Sequence, residues 1–160
     1  MKSAIFGGGC FWGVAHLFKK LAGVSRVVAG YCGGSTENPD YEDVCTGNTG
    51  HAEVVMVGYD PALISYEELL HYFWRLHDPT QLNRQGPDVG TQYRSVIFYA
   101  DEREGEVART MKDALEKAKK FKNPVVTEIL PAATFYPAEE YHQDWYDKNP
   151  GRVCHVLRED

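Results

Sequence analysis

The chain has 160 residues, 43% of them apolar and 25% charged, and a formal net charge of −6. That length allows one domain with a sizeable core, and the negative balance argues against nucleic acid or an anionic membrane surface as a main partner. No apolar stretch approaches the ~20 residues of a membrane span, and residues 1–6 run into an apolar strand without an h-region long enough for a signal peptide, so a cytoplasmic protein is expected.

Residues 3–6 are predicted as a strand, and the run Gly7-Gly8-Gly9-Cys10-Phe11-Trp12-Gly13 turns it into a helix over 12–21, where Trp12, Ala15, Leu17, Phe18 and Leu21 have helical spacing. Gly23 ends that helix and a β-branched strand runs from 24 to 31. Residues 33–50, rich in Gly, Asn, Pro, Asp, Ser and Thr, read as a long functional loop. A strand at 54–59 precedes a helix at about 66–77, opened by the capping box of Ser65 and Glu68. A second Gly/Pro/Asn-rich loop covers 78–91, followed by a strand at 93–99, a charged amphipathic helix at 102–121, a strand at 125–130, a short aromatic helix at 138–147 and an irregular tail. The order β-α-β-β-α-β predicts an α+β fold: a ferredoxin-like, split βαβ two-layer sandwich with a mostly antiparallel sheet. With no linker or repeat, residues 1–160 are expected to form a single catalytic domain.

The glycines before Cys10 present its thiol rather than packing it, and the N-terminus of the following helix favours thiolate. Phe11 and Trp12 add apolar surface beside that nucleophile, which suits an uncharged substrate with a small apolar end. Glu53, where the long loop enters a Val-rich strand, is a candidate general acid if burial keeps it protonated; a solvated strand-end glutamate is the plain alternative. Tyr41 and Tyr93 can donate phenolic hydrogen bonds to a polar substrate atom or simply cover the core. Asp88 reads as a turn residue or a site residue, His142 as a surface-helix histidine or a substrate ligand, and His51 as a brace for the loop. The other cysteines are Cys32, Cys45 and Cys154. No C-x-x-C pair occurs, which argues against a zinc knuckle or a thioredoxin-type dithiol. Cys154 near the C-terminus can travel to an oxidised partner sulfur, Cys45 can be buried at the loop's end, and Cys32 can face either the core or the site.

Six segments resemble the methionine sulfoxide reductase A family in the family's order: GGCFWG at 8–13, GY and GG flanking Cys32 at 30–34, NPDYEDVCTGNTGHAE at 38–53, YDPALISYEELLHYFWRLHDP at 59–79, QGPDVGTQYRS at 85–95 and FYPAEEYHQDWYDKNP at 135–150. The resemblance implies reduction of methionine-S-sulfoxide, free or in proteins, with thioredoxin as reductant. It implies Cys10 as nucleophile, Phe11 and Trp12 as the methyl pocket, Glu53 as the acid, and Tyr41 and Tyr93 as donors to the sulfoxide oxygen. Asp88 and His142 match the site rim, and Cys154 matches a resolving cysteine, with Cys45 and Cys32 as alternatives. No metal or cofactor is expected, and the protein is expected to be a monomer. Two positions depart from the family pattern: Ala15 stands where Glu is frequent, and Cys32 where a small non-thiol residue is usual. Two other classes compete: a thiol hydrolase or transferase with a histidine base, which gives the aromatics no role, and a module that binds a methyl-bearing side chain without turnover.

Overall fold

The structure is a computed structural model that describes residues 1–151 and 155–159. Its elements in chain order are β1 (Lys2–Gly8), α1 (Phe11–Lys19), β2 (Val24–Cys32), α2 (Tyr41–Cys45), β3 (Ala52–Tyr59), α3 (Tyr66–Arg75), β4 (Arg84–Gln85), β5 (Asp88–Val89), β6 (Ser95–Tyr99), α4 (Glu102–Lys117), β7 (Glu128–Pro131), β8 (Phe135–Pro137) and α5 (Trp145–Lys148), with single 3₁₀ turns at Thr91–Tyr93 and Glu140–His142.

The fold is mixed α+β. Six strands form one sheet in the order β7-β6-β1-β3-β2-β8, and β4 and β5 form a separate small hairpin. Neighbours pair antiparallel except β6 and β7, which run parallel, so the sheet is mixed and departs there from the antiparallel arrangement expected. The cause is α4. A 16-residue crossover helix carries the chain back to the end of the sheet at which β6 began, and strands so joined lie parallel.

Side chains alternate across the sheet, and the two faces differ. Ala4 and Phe6 of β1 join Tyr31, Val55 and Val57 under the three long helices α1, α3 and α4. Phe6 stacks on Phe18 of α1 at 5.3 Å and on Phe73 of α3 at 5.2 Å, so one ring locks two helices to the central strand. Removing such a ring costs about 3–5 kcal/mol. The opposite face holds a smaller cluster of Cys32, Ala52, Val54, Val96 and Phe98. α3 begins with the predicted Ser65–Glu68 capping box, and Tyr66, Leu69, Leu70 and Phe73 bury its inner face.

Three local features differ from the expected elements. Within the 33–50 loop, Asp40 and Asp43 form a reciprocal capping box that opens the short α2. The expected helix at 138–147 is broken into a 3₁₀ turn and the single-turn α5. Gln143 leaves the helix to donate to the Ala29 and Ala138 carbonyls and to accept from Ala29 N–H, and Asp144 takes a left-handed φ of 55°. The short edge strand β8 pairs with Gly30–Cys32. Among the described residues, no helix is long and apolar enough to cross a membrane.

Candidate active site

The glycines ahead of Cys10 are needed mainly for close approach. A Cβ on Gly7 would lie 2.9 Å from Val96 and 3.0 Å from the Glu53 carbonyl, and one on Gly8 would lie 3.1 Å from the His77 ring. Only Gly9 requires the left-handed region, at φ +102°, where the chain turns from β1 into α1. Cys10 is the residue that opens α1, half-buried, with its carbonyl accepting from Gly13 and Val14. His77, beneath that turn, bonds the Phe73 carbonyl through Nδ1 and Ser95 Oγ through Nε2, and burial pushes its pKa down to about 3. It is a neutral prop joining α3 to β6.

Register sets the position of Glu53. Glu53 pairs with Tyr31 across β3 and β2, on the helix-covered face, and is 1% exposed. Its Oε1 accepts from Phe11 N–H at 3.2 Å, the first amide of α1 and the one directly after Cys10. Its Oε2 accepts from Gln92 Nε2 at 3.1 Å, and the same amide lies 3.4 Å from Cys45 Sγ. Cys45 lies within electrostatic reach of the Tyr41 hydroxyl. Burial first, and the Glu53 charge second, raise the pKa of both Tyr41 and Tyr93, so both phenols stay protonated hydrogen-bond donors. Cys10 and Asp88 lie within electrostatic reach of Tyr93.

The C-terminal segment closes the other side. Trp12 Nε1–H donates to His142 Nδ1 at 2.9 Å, which places the His142 proton on Nε2. Burial lowers the His142 pKa despite Glu139, and Nε2 is buried with no hydrogen-bond partner among the described residues. The His142 ring sits 4.5 Å from Tyr41 and 5.1 Å from Phe11. Trp145 stacks face to face on Trp12 at 4.1 Å. Glu139 ties the parts together: one carboxylate oxygen accepts from the Tyr31 hydroxyl at 2.9 Å, the other from Tyr41 N–H at 3.0 Å. Burial opposes its charge, yet those bonds hold its pKa below the usual carboxylate value. His51 braces the first loop, and Arg94 ties the two loops together. His51 accepts from Gly34 N–H and bonds the Thr36 carbonyl, and Arg94 bridges Thr91, Gly50 and Glu128.

Cys10, Glu53, Tyr41, Tyr93, Phe11, Trp12 and His142 thus converge, with Asp88 beside them. Phe11 carries no exposed surface: at 0% exposure it packs among Tyr31, Tyr41 and His142, so Trp12, half-buried, is the aromatic nearer the surface. Cys45 is exposed at the end of α2 rather than buried. Cys32 points to the opposite face of the sheet from its neighbour Tyr31, is 0% exposed, and burial pushes its pKa up to about 11. Cys154 lies outside the described residues. The tail after it returns to the site: His155 Nε2 is 2.8 Å from the Gly8 carbonyl, and Arg158 donates to the His77 and Trp74 carbonyls. Gln92, Glu139 and Trp145 were not singled out from sequence. Gln92 had a positional signal, standing beside Tyr93 in the GTQYRS segment.

A profile of the peptide methionine sulfoxide reductase family matches residues 2–160. The chain belongs to this family. A peptide methionine sulfoxide reductase MsrA of Methanothermobacter thermautotrophicus is 55% identical over 157 residues, covering 98% of this chain and 93% of that one. The crystal structure of Mxr1 from Saccharomyces cerevisiae in reduced form superposes with a TM-score of 0.92 at 39% identity, covering 99% of this chain and 92% of that one. Mxr1 in complex with Trx2 superposes with a TM-score of 0.68 at 28% identity, covering 99% of this chain and 90% of that one. Against this family background, the Trp12–Trp145 stack and the Glu53–Gln92–Cys45 chain show which of this member's own side chains surround its presented cysteine.

Proposed function

We propose that the enzyme reduces methionine-S-sulfoxide, free and in proteins, through a sulfenic acid on Cys10. The observation that carries this reading is the bond from Phe11 N–H to Glu53, which fixes a buried carboxyl against the turn that presents the nucleophile. Glu53 delivers a proton to the sulfoxide oxygen, with Tyr41 and Tyr93 donating to the same atom. The Cys10 thiolate then attacks the electrophilic sulfur. A bond forms between the two sulfurs; the hydroxyl then passes from the substrate sulfur to Cys10 Sγ as the S–O and S–S bonds break, so methionine leaves and Cys10 becomes a sulfenic acid. Trp12, backed by Trp145 and held by His142, receives the methyl group, and Phe11 stiffens that wall from behind. Only one epimer puts the methyl on the indole while its oxygen meets Glu53.

The sulfenic acid condenses with a second thiol, releasing water, and thioredoxin reduces the disulfide by thiol–disulfide exchange. Cys154 is the proposed resolving thiol. The return of His155 to the Gly8 carbonyl supports this, because it brings the tail to the turn before Cys10. The Mxr1 complex with Trx2 supports thioredoxin as the donor. The burial and raised pKa of Cys32 speak against it as the alternative. The order β6-β1-β3-β2 with α1 and α3 supports a split βαβ core within a single domain.

Cys10→Ser is expected to abolish turnover of methionine-S-sulfoxide with dithiothreitol; surviving turnover would identify another nucleophile. Cys154→Ser is expected to leave one stoichiometric turnover and to block recycling by thioredoxin. Normal thioredoxin-driven turnover in that variant would move the resolving role to Cys45.

A further inference from the structure

We propose that Gln92 is a positioning residue for the acid: its amide holds Glu53 beneath Cys10 and stabilises the carboxylate that forms as the proton leaves. The proposal rests on the reading of Glu53 as the acid. Gln92 is buried in the Thr91–Tyr93 turn, directly after Gly90, whose φ of +144° sets the entry of that turn. Its amide makes two contacts, one to Glu53 Oε2 and one to Cys45 Sγ, at 3.1 and 3.4 Å. With Phe11 N–H on Oε1, each carboxyl oxygen of Glu53 then has at least one N–H donor.

That pattern has a chemical consequence. A carboxylate only accepts hydrogen bonds, whereas a carboxylic acid also donates one. Two N–H donors therefore interact more favourably with the product of proton delivery than with the starting acid. As the proton passes to the sulfoxide oxygen, negative charge grows on Glu53 where the Gln92 and Phe11 donors already point. This is preorganised stabilisation of developing charge, and it acts on the acid rather than on the substrate. A primary amide also suits both states of the carboxyl. Its NH₂ serves the carboxylate and its carbonyl, after a flip, serves the acid O–H. Among the described residues, the titratable groups around Glu53 include Tyr31 from β2, Tyr41 and Cys45 from α2, and Tyr93; Cys10 and Asp88 face Tyr93, and His142 stands behind Tyr41.

The test measures methionine formed from one equivalent of methionine-S-sulfoxide, without reductant, as a function of pH. In wild type the alkaline limb of the rate reports loss of the proton from the acid. Gln92→Glu is nearly isosteric and places a second carboxyl against Glu53. The pair then shares a proton, and the limb is expected to move up by about one pH unit or more. Gln92→Ala is expected to lower the rate about 10-fold across the profile, since a loosened acid is misplaced by a fraction of an ångström. The proposal is overturned if the Gln92→Glu limb coincides with wild type, a result readable even where Gln92→Ala folds poorly. Glu53→Gln separates the two layers of the reading. If it reacts at the wild-type rate, the acid assignment fails and takes this proposal with it. If it is slow while both Gln92 variants behave as wild type, only the role of Gln92 fails.

Discussion

Cys10 and Cys32 occupy similar sequence contexts and opposite environments. Each lies at the C-terminal end of a sheet strand, Cys10 two residues beyond β1 and Cys32 as the last residue of β2, and each is flanked by a pair of glycines, Gly8-Gly9 before one and Gly33-Gly34 after the other. Cys10 leaves its strand through a left-handed glycine and opens a helix, half-buried beside the Glu53 carboxyl. Cys32 remains in its strand as the last residue of β2, and its side chain falls on the lesser face among Ala52, Val54, Val96 and Phe98. Its sulfur has the Ala133 carbonyl at 3.6 Å, and its pKa is pushed up to about 11 by burial. Local composition does not separate the two thiols. The face of the sheet, set by strand register, does.

Thiol labelling breaks or sharpens this contrast most strongly. At pH 8, a thiol with a pKa near 11 is about 0.1% thiolate, against roughly a quarter for an unperturbed cysteine. Cys32 is therefore expected to react with iodoacetamide on the order of 10²-fold more slowly than such an unperturbed thiol, and more slowly than the exposed Cys45, read by peptide mass mapping, with burial slowing it further. In denaturant the two rates should converge. Equal rates in the native protein would show that Cys32 is accessible and would return it to the list of resolving thiols.

The glycines allow a paired test with a smaller effect. Gly9 has φ +102° and Gly33 φ +92°, and a Cβ at either meets a fixed neighbour, Gln85 and His155 in one case, Phe98 in the other. Alanine at either site is expected to cost about 1–3 kcal/mol of stability, seen as a lowered Tm. Only Gly9→Ala is expected to slow methionine formation as well, by about 10-fold, because it moves the turn that aims Cys10. If Gly33→Ala slows the single turnover equally, the two turns are coupled and the separation of faces is incomplete.

The same alternation explains how far sequence reasoning carried. Strong periodicity located β1, α1, β2, β3, α3, β6 and α4, because each buries one regular stripe or face. The broken segment at 138–147 reads in sequence as one short aromatic helix. A long-range event decides it: the Gln143 side chain bonds both the N–H and the carbonyl of Ala29, just past the end of the β2–β8 pairing. The α2 cap was legible in principle from Asp40 and Asp43, but lay inside a stretch whose composition signals a loop. Among site residues, those in dense motifs were visible, Cys10 and Glu53 above all. Gln92, Glu139 and Trp145 act through contacts 39, 98 or more than 100 positions away in sequence, and no local pattern encodes those.

The mildest substitution tests the silent member of the pair. Cys32→Ser swaps a buried thiol for a hydroxyl of similar size, with the Ala133 carbonyl as its available acceptor. Burying the more polar group is expected to cost about 1 kcal/mol at neutral pH, at the low end for a hydroxyl that keeps a partner. The rate of methionine formation should not change, since Cys32 lies on the face of the sheet opposite to Glu53 and Tyr31. The pH dependence carries the sharper sign. A thiol whose pKa is raised by folding holds its proton more tightly in the native state than in the unfolded one. Its contribution is complete below the unfolded value of about 8.5 and is lost as pH rises toward about 11. Wild type is therefore expected to lose stability over that window relative to Cys32→Ser, whose hydroxyl does not titrate there, and the gap between their denaturant midpoints should narrow. A gap that stays constant from pH 7 to pH 10.5 would mean that Cys32 ionises as easily in the folded protein as in the unfolded chain, and that the lesser face is wet.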